Sequence, residues 1–293
     1  MSATAAGTRR APKRESALAR WAALVRARRE QMDAQLVRLG GPPEDWWAGR
    51  SGSFARGIGD LAEAPPFGLT AIADRLGRAD TLLDIGAGAG RYAVPLARLA
   101  AHVTLVEPSP AMAHAAREAF AAAGRTDYTL LERAWPTDSP ATTAVLMANV
   151  LAPVEDLGGF VVPALERASE WLFIVYGTAG GDGSEPTTAR VIEAFHGEPR
   201  VPSPALGDLL PALHELGIFP DVQMGRRRFQ AAYADLDETA RAVAAAALIE
   251  QTPRALRRVR GMLRAALQPI EDGRLALPAL DLPVGLLTWR IRT

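Results

Sequence analysis

The sequence contains no cysteine, a single lysine (Lys13) and a single asparagine (Asn149). Without cysteine there are no disulfides, thiolate metal sites, iron–sulfur clusters or cysteine nucleophiles, and the composition fits a reducing compartment. No apolar run approaches the ~18 residues of a membrane span. The opening MSATAAGTRRAPKR carries charges with no apolar segment behind them, so it does not read as a secretory signal. These absences lead us to expect a soluble, cytoplasmic protein without a membrane partner. The four histidines form no H-E-x-x-H or similar spacing, so no metal site is expected. There is no excess of charge either, with 33 basic and 33 acidic residues. Scarce lysine beside abundant alanine looks like codon bias, so arginine richness alone is not read as nucleic-acid binding.

What is present is 293 residues, 48% of them hydrophobic, enough to bury a sizeable core. Charge is uneven along the chain. Residues 1–40 hold nine cations and three acids, and residues 224–264, which include Arg226-Arg227-Arg228, hold nine cations and four acids. If the two segments met in space they would form a patch for an anionic partner; otherwise they are solvated helix faces.

Residues 1–14 are small, polar and basic and read as a disordered tail. From Ser16, Leu18, Trp21, Leu24, Val25, Met32, Leu36 and Leu39 recur at mostly three- and four-residue spacing until Gly40-Gly41-Pro42-Pro43, which predicts an amphipathic helix. With the segment around Trp46, Trp47 and Phe54, residues 15–66 are expected to form a helical cap over the core, and Phe67–Leu76 another helix. The core then alternates. Strands are predicted at Thr81–Ile85, Val103–Val106, Tyr128–Leu131, Ala144–Ala148 and Trp171–Tyr176, with helices at Arg91–Leu99, Ala111–Ala123 and Leu157–Arg167. That order implies right-handed crossovers and a doubly wound, mostly parallel α/β sheet. Beyond a glycine-rich loop at Gly177–Glu185, helices are predicted at Val191–Phe195 and Ala205–Leu216 and strands at Asp221–Phe229 and Val284–Ile291. Thr239–Leu267 reads as two helices broken at Pro253.

The informative constellation is Asp84-Ile-Gly86-Ala-Gly88-Ala-Gly90, between the apolar strand TLLDI and a helix. Glycine here permits a sharp turn, lets a ligand lie over the backbone and lets the helix approach the strand, while free N–H groups at the helix start are expected to face the ligand. Glu107 follows 21 residues after Gly86, at the end of the next strand, a spacing at which a carboxylate accepts both hydroxyl protons of a ribose. Together these residues describe a site for a nucleoside-containing ligand. Gly88-Ala-Gly90-Arg-Tyr-Ala93 also spells the dinucleotide fingerprint G-x-G-x-x-A. Against a dinucleotide, that alignment falls two residues late after the strand, and Asp84 would set negative charge beside a pyrophosphate.

LLDIGAGAGRYAVPLA followed by VTLVEPSPAM resembles motif I and the acidic strand-end motif of class I S-adenosylmethionine-dependent methyltransferases. The resemblance implies a Rossmann-like, seven-stranded fold over residues 67–293, closed by an antiparallel pair, with a helical insertion around 235–268. It implies that Asp84, Gly86, Ala87, Gly88 and Gly90 lie along the methionine and ribose of S-adenosyl-L-methionine, and that Glu107 holds the ribose hydroxyls. Pro108 and Met112 would border the adenine, Arg133, Ala134 and Trp135 its other edge, and Asn149, Val150 and Leu151 would close the pocket. Two departures stand out: Ala152-Pro153 replaces the aromatic or histidine pair of many small-molecule members, and Ala134-Trp135 stands where an acid is common.

Methyl transfer from a sulfonium is an in-line displacement in which positioning supplies most of the acceleration, so a base is optional. Should an acceptor proton need removal, Tyr176, Glu155, Asp156 and His196 are the candidates. Absence of cysteine excludes covalent attack on pyrimidine C6, and Asn149-Val-Leu-Ala lacks the Asn/Asp-Pro-Pro-aromatic sequence of enzymes acting on planar amino groups. Trp46, Trp47, Phe54 and Tyr176 are expected to line an apolar acceptor site. The expected activity is methylation of a small organic acceptor, with S-adenosyl-L-homocysteine as the other product. The alternatives are an RNA or protein methyltransferase using the basic segments, or a non-catalytic S-adenosylmethionine-binding relative.

Overall fold

The computed structural model describes residues 16–41, 44–45, 47, 65–177 and 186–291. The expected tail at 1–14, Trp46, Phe54 and most of the 177–185 loop lie outside the described residues. Ten strands and nine helices are seen among those described.

Seven strands form the central sheet: β1 (Thr81–Ile85), β2 (His102–Val106), β3 (Tyr128–Leu131), β4 (Thr142–Ala148), β5 (Ala168–Gly177), β6 (Asp221–Phe229) and β10 (Leu280–Arg290). Their order is β3-β2-β1-β4-β5-β10-β6. The first five pair in parallel, while β10 runs antiparallel to both β5 and β6, which gives the expected seven-stranded, mostly parallel sheet. The order reverses between β1 and β4, and that switch point is where a doubly wound sheet leaves a crevice at its carboxyl edge.

The strands are apolar on both faces because both are covered. On one face α1 (Ala17–Val37), α5 (Leu157–Arg167) and α7 (Leu206–Glu215) cover Leu83, Ile85, Val145, Met147 and Ile174. On the other, α2 (Leu69–Ala73), α3 (Ala93–Leu96) and α4 (Pro110–Ala122) cover Leu82, Leu105, Leu146, Phe173 and Val175. A satellite core joins α6 (Pro186–His196), α8 (Leu236–Ala246) and α9 (Pro253–Leu263) through Val191, Ile192, Val243, Ala244, Val259 and Leu263. Beside it lies a small sheet of two-residue strands, β7 (Ala232–Tyr233), β9 (Leu275–Ala276) and β8 (Gln268–Pro269), which the sequence reading lacks.

α1 is fixed at its start and along its length. Ser16 caps it by accepting from Ala19 N, while the Glu215 carboxylate accepts from Ser16 Oγ and from the Ala17 and Leu18 amides at 2.6–3.2 Å. Trp21 is fully buried and donates its indole N–H to the Val154 carbonyl, at 2.7 Å, in the loop after β4. Arg20 pairs with Asp208, and Arg26 and Arg29 both pair with Glu155. In the second basic segment, Arg226 pairs with Asp281, Arg260 with Asp237, and Arg258 lies 4.5 Å over the Phe195 ring.

Candidate functional site

The site begins where β1 ends. Gly86 and Gly88 have positive φ (70° and 56°), as the turn requires. A Cβ on Gly86 would stand 2.4 Å from Val150 Cγ2, so that glycine is needed for contact with the loop after β4, whereas the space above Gly88 is open. The two glycines thus differ: one is required by internal packing and the other borders open space.

Most of the amides of the glycine loop are bonded within the protein. The Gly86 and Ala87 amides donate to Val106 O, Gly88 N to Glu107 Oε2 at 2.8 Å, and Gly90 N to Ala87 O. The helix that follows, α3, has four residues instead of the nine predicted. Pro95 has no N–H to return to Arg91 O, which weakens the run. The loop is therefore a shelf with four of its amides already engaged, unlike the open amide cradle that holds a pyrophosphate.

Two buried carboxylates flank the shelf. Asp84 is 2% exposed, and its Oδ1 has no hydrogen-bond partner. Burial, with Glu107 nearby, pushes its carboxyl up to about 7. Glu107 is 5% exposed; Oε2 accepts from Gly88 N and Oε1 from Ser109 N at 2.9 Å. Burial raises its pKa against those two donors. Since a carboxylate has about four acceptor positions, Glu107 retains capacity for two hydroxyl donors while both its oxygens are held in place.

The start of α4 forms the next wall. Met112 is buried with Ala89 of the loop and Ala115, and Pro108 is exposed beside Glu107. Ser109 caps α4 through Met112 N, and its hydroxyl donates to Asp45, which also accepts from Ala111 N. Asp45 belongs to the segment before the core and was not singled out in the sequence. Its only local signal is the tight turn it makes with Trp47 N, 2.8 Å from Oδ1. Trp47 itself is exposed.

Comparison with known proteins bears on this geometry. Residues 83–170 match the family described as Methyltransferase domain. Over those residues the chain is similar to the methyltransferase domain family. An 82-residue stretch is 40% identical to the ubiquinone biosynthesis O-methyltransferase of Methylocella silvestris, covering 27% of this chain and 32% of that relative. The match thus spans about a third of the relative's length. Among solved structures, a protein from Bacillus halodurans C-125 superposes with a TM-score of 0.50 at 16% identity, covering 80% of this chain and 100% of that one. The YcgJ protein from Bacillus subtilis does so with a TM-score of 0.50 at 12% identity, over 77% and 98%. The structural matches establish the fold.

Within the methyltransferase domain, the remaining sequence-derived residues divide by environment. Asn149, exposed at the end of β4, takes φ 57° while its amide donates to Val175 O. Asparagine tolerates that backbone better than most residues. Arg133 and Ala134 are exposed. Trp135 packs toward the core under α5, with its indole N–H held by Phe160 O at 2.8 Å, so its ring is anchored to α5 instead of standing free at a pocket edge. Leu151 is fully buried in the same core, leaving Val150 as the member of its trio that touches the glycine loop.

The expected bases have structural partners. The Tyr176 hydroxyl donates to Pro204 O at 2.8 Å, burial raises its pKa, and its ring meets Trp21 with centroids 5.9 Å apart. Glu155 holds Arg26 and Arg29, which lower its pKa. Asp156 caps α5 through Gly159 N. His196 Nε2 lies 2.7 Å from Ala247 O and its Nδ1 is buried, placing it in the satellite core. Each of these candidate bases is thus engaged within the protein.

Proposed function

We propose that the protein transfers a methyl group from S-adenosyl-L-methionine to a small organic acceptor, releasing S-adenosyl-L-homocysteine. The observation that carries this reading is the pairing of two buried carboxylates across a glycine shelf whose own amides are engaged. The residues fit the donor. The unpartnered Asp84 oxygen suits its ammonium, the anchored Glu107 carboxylate its ribose hydroxyls, and the open space above Gly88 its body. When bound, the donor supplies an electrophilic methyl on a sulfonium, which the acceptor's lone pair takes in line as the C–S electrons return to sulfur. The chain's own part is to orient and desolvate. Gly86 and Val150 lock the loop, Met112 and Ala89 give an apolar floor, and Asp84 sets negative charge beside a cation in a dry setting. With Tyr176, Glu155 and His196 engaged elsewhere, we assign catalysis to positioning, without a dedicated side-chain base.

A small acceptor is favoured by the state of the basic segments, since Arg20, Arg26, Arg29, Arg226 and Arg260 are paired within the protein. The ubiquinone-biosynthesis relative methylates an oxygen, in keeping with a small organic acceptor here. The test is transfer of label from methyl-labelled donor across a panel of phenols, amines and carboxylates, with RNA and protein as controls. Label on a small molecule alone supports the reading; label on RNA or protein alone overturns it.

A further inference from the structure

The run Arg226-Arg227-Arg228 lies on β6, the outer strand of the sheet. Successive side chains point to opposite faces. Arg226 pairs with Asp281, 2.5 Å away. Arg227 stands opposite Leu282, two residues on from Gly225, which is opposite Val284. Because Val284 belongs to the core under α2, α3 and α4, Arg227 projects to that face, the one Asp84 also faces beside Leu82. Val284 is in turn opposite Gly177, the last residue of β5, so Arg227 lies beyond the carboxyl end of β5, on the edge of the sheet that bears the glycine loop.

Two contacts bring Arg91 to the same corner. The Phe67 ring fills the space beside Gly225, where an added Cβ would come within 2.0 Å of Cε2. The Tyr92 hydroxyl donates to Phe67 O at 2.9 Å, which fixes the residue next to Arg91. Arg91 Nε is buried with no hydrogen-bond partner, and Arg227 has no ion pair or hydrogen bond among the described residues. Burial lowers the Arg227 pKa and the Arg91 charge lowers it further, while the Tyr92 hydroxyl opposes them in part. Two partly desolvated guanidiniums in one corner, with no counter-ion among the described residues, are unfavourable unless something anionic joins them.

We infer that Arg91 and Arg227 form a receptor for an anionic group, a carboxylate or a phosphate monoester, on the methyl acceptor. Guanidinium forks match both oxyanions in bidentate geometry. The assignment to acceptor rests on the proposed donor site. β6 is four places from β1 in the sheet order, while Glu107 follows β2 on the opposite side of β1. At about 4.8 Å per strand, that sets the backbone of Arg227 roughly 19 Å from the strand that feeds the glycine shelf, while Arg91 directly follows Gly90, so the pair bridges the far end of the shelf and the β6 edge. The acceptor is thereby an anionic small molecule whose charged end is held at the β6 edge.

The test uses the full chain, with and without saturating S-adenosyl-L-homocysteine, titrated with benzoate and phenyl phosphate and, as neutral control, benzamide, read by thermal melting and calorimetry. The expected result is that at least one anion raises Tm whereas benzamide does not, and that Arg227→Gln abolishes this response while Arg227→Lys keeps part of it. Arg227→Gln is also expected to raise Tm in the absence of any ligand, since it relieves like-charge repulsion, and to leave S-adenosyl-L-homocysteine affinity within about twofold. No anion response, an equal response to benzamide, or a response unchanged in Arg227→Gln overturns the receptor. A tenfold loss of S-adenosyl-L-homocysteine affinity in that variant overturns the assignment to acceptor, because the pair would then serve the donor. Failure of the wild type to bind S-adenosyl-L-homocysteine at all would strike the proposed function instead, with the anion response still read on the unliganded protein.

Discussion

Asp84 is the residue on which the electrostatics of the site turn. Its carboxyl titrates near 7 in the fold against 3.8 in an unfolded chain, because it is buried and has Glu107 beside it. The unfolded chain therefore releases this proton first, and as pH rises from about 4 to 7 the group progressively favours unfolding. A cationic ligand reverses the preference by binding the ionised form. S-adenosyl-L-homocysteine affinity is expected to rise about tenfold between pH 6 and 8 as the ionised fraction grows around a pKa near 7; Asp84→Asn should flatten that profile and weaken binding. Calorimetry across this range checks it, and a flat wild-type profile would remove Asp84 from the ligand's surroundings. This acid was legible in the sequence because loop, strand and spacing are local. Asp45 and Arg227 were not, since each reaches its neighbours through the fold: Asp45 meets Ser109 from 64 positions away, and Arg227 reaches the Arg91 corner only because β10 places β6 there.

At the scale of elements, α1 is expected to hold through Trp21. Trp21→Ala removes a fully buried ring and leaves the Val154 carbonyl without its donor. It should cost about 3–5 kcal/mol, measured by denaturant unfolding; a cost below about 1 kcal/mol would mean α1 is peripheral. β1, β3 and α5 were delimited correctly from sequence because apolar runs there end at charged or glycine residues, and β6 because it begins after Pro220. α2 and α3 were read too long, ten and nine residues against five and four, because the periodicity continues into turns whose hydrogen bonds do not sustain a helix. β7, β8 and β9 are two-residue strands, too short to carry any period.

Across the whole molecule, two bodies of packing are expected to respond separately. The satellite core of α6, α8 and α9 has its own apolar cluster, distinct from the two that cover the sheet. Val259→Ala should raise hydrogen exchange in those three helices while β1, β2 and β4 keep their protection; uniform loss of protection would show one cooperative unit. Strand–helix alternation made the parallel sheet readable, but insertion of β10 between β5 and β6 is a matter of topology that no local pattern encodes.

The central claim is that the glycine shelf between Asp84 and Glu107 holds the methyl donor. The most direct measurement is calorimetric titration of cofactor-stripped protein with S-adenosyl-L-homocysteine, run beside Gly88→Val and beside NADH. Gly88 sits at φ 56° under open space, so valine there both strains the backbone by about 1–2 kcal/mol and fills the ligand's place. We predict saturable one-to-one binding by the wild type, none by a Gly88→Val protein with unchanged circular dichroism, and no response to NADH. Equal affinity in the folded variant, or binding of NADH alone, would contradict the account.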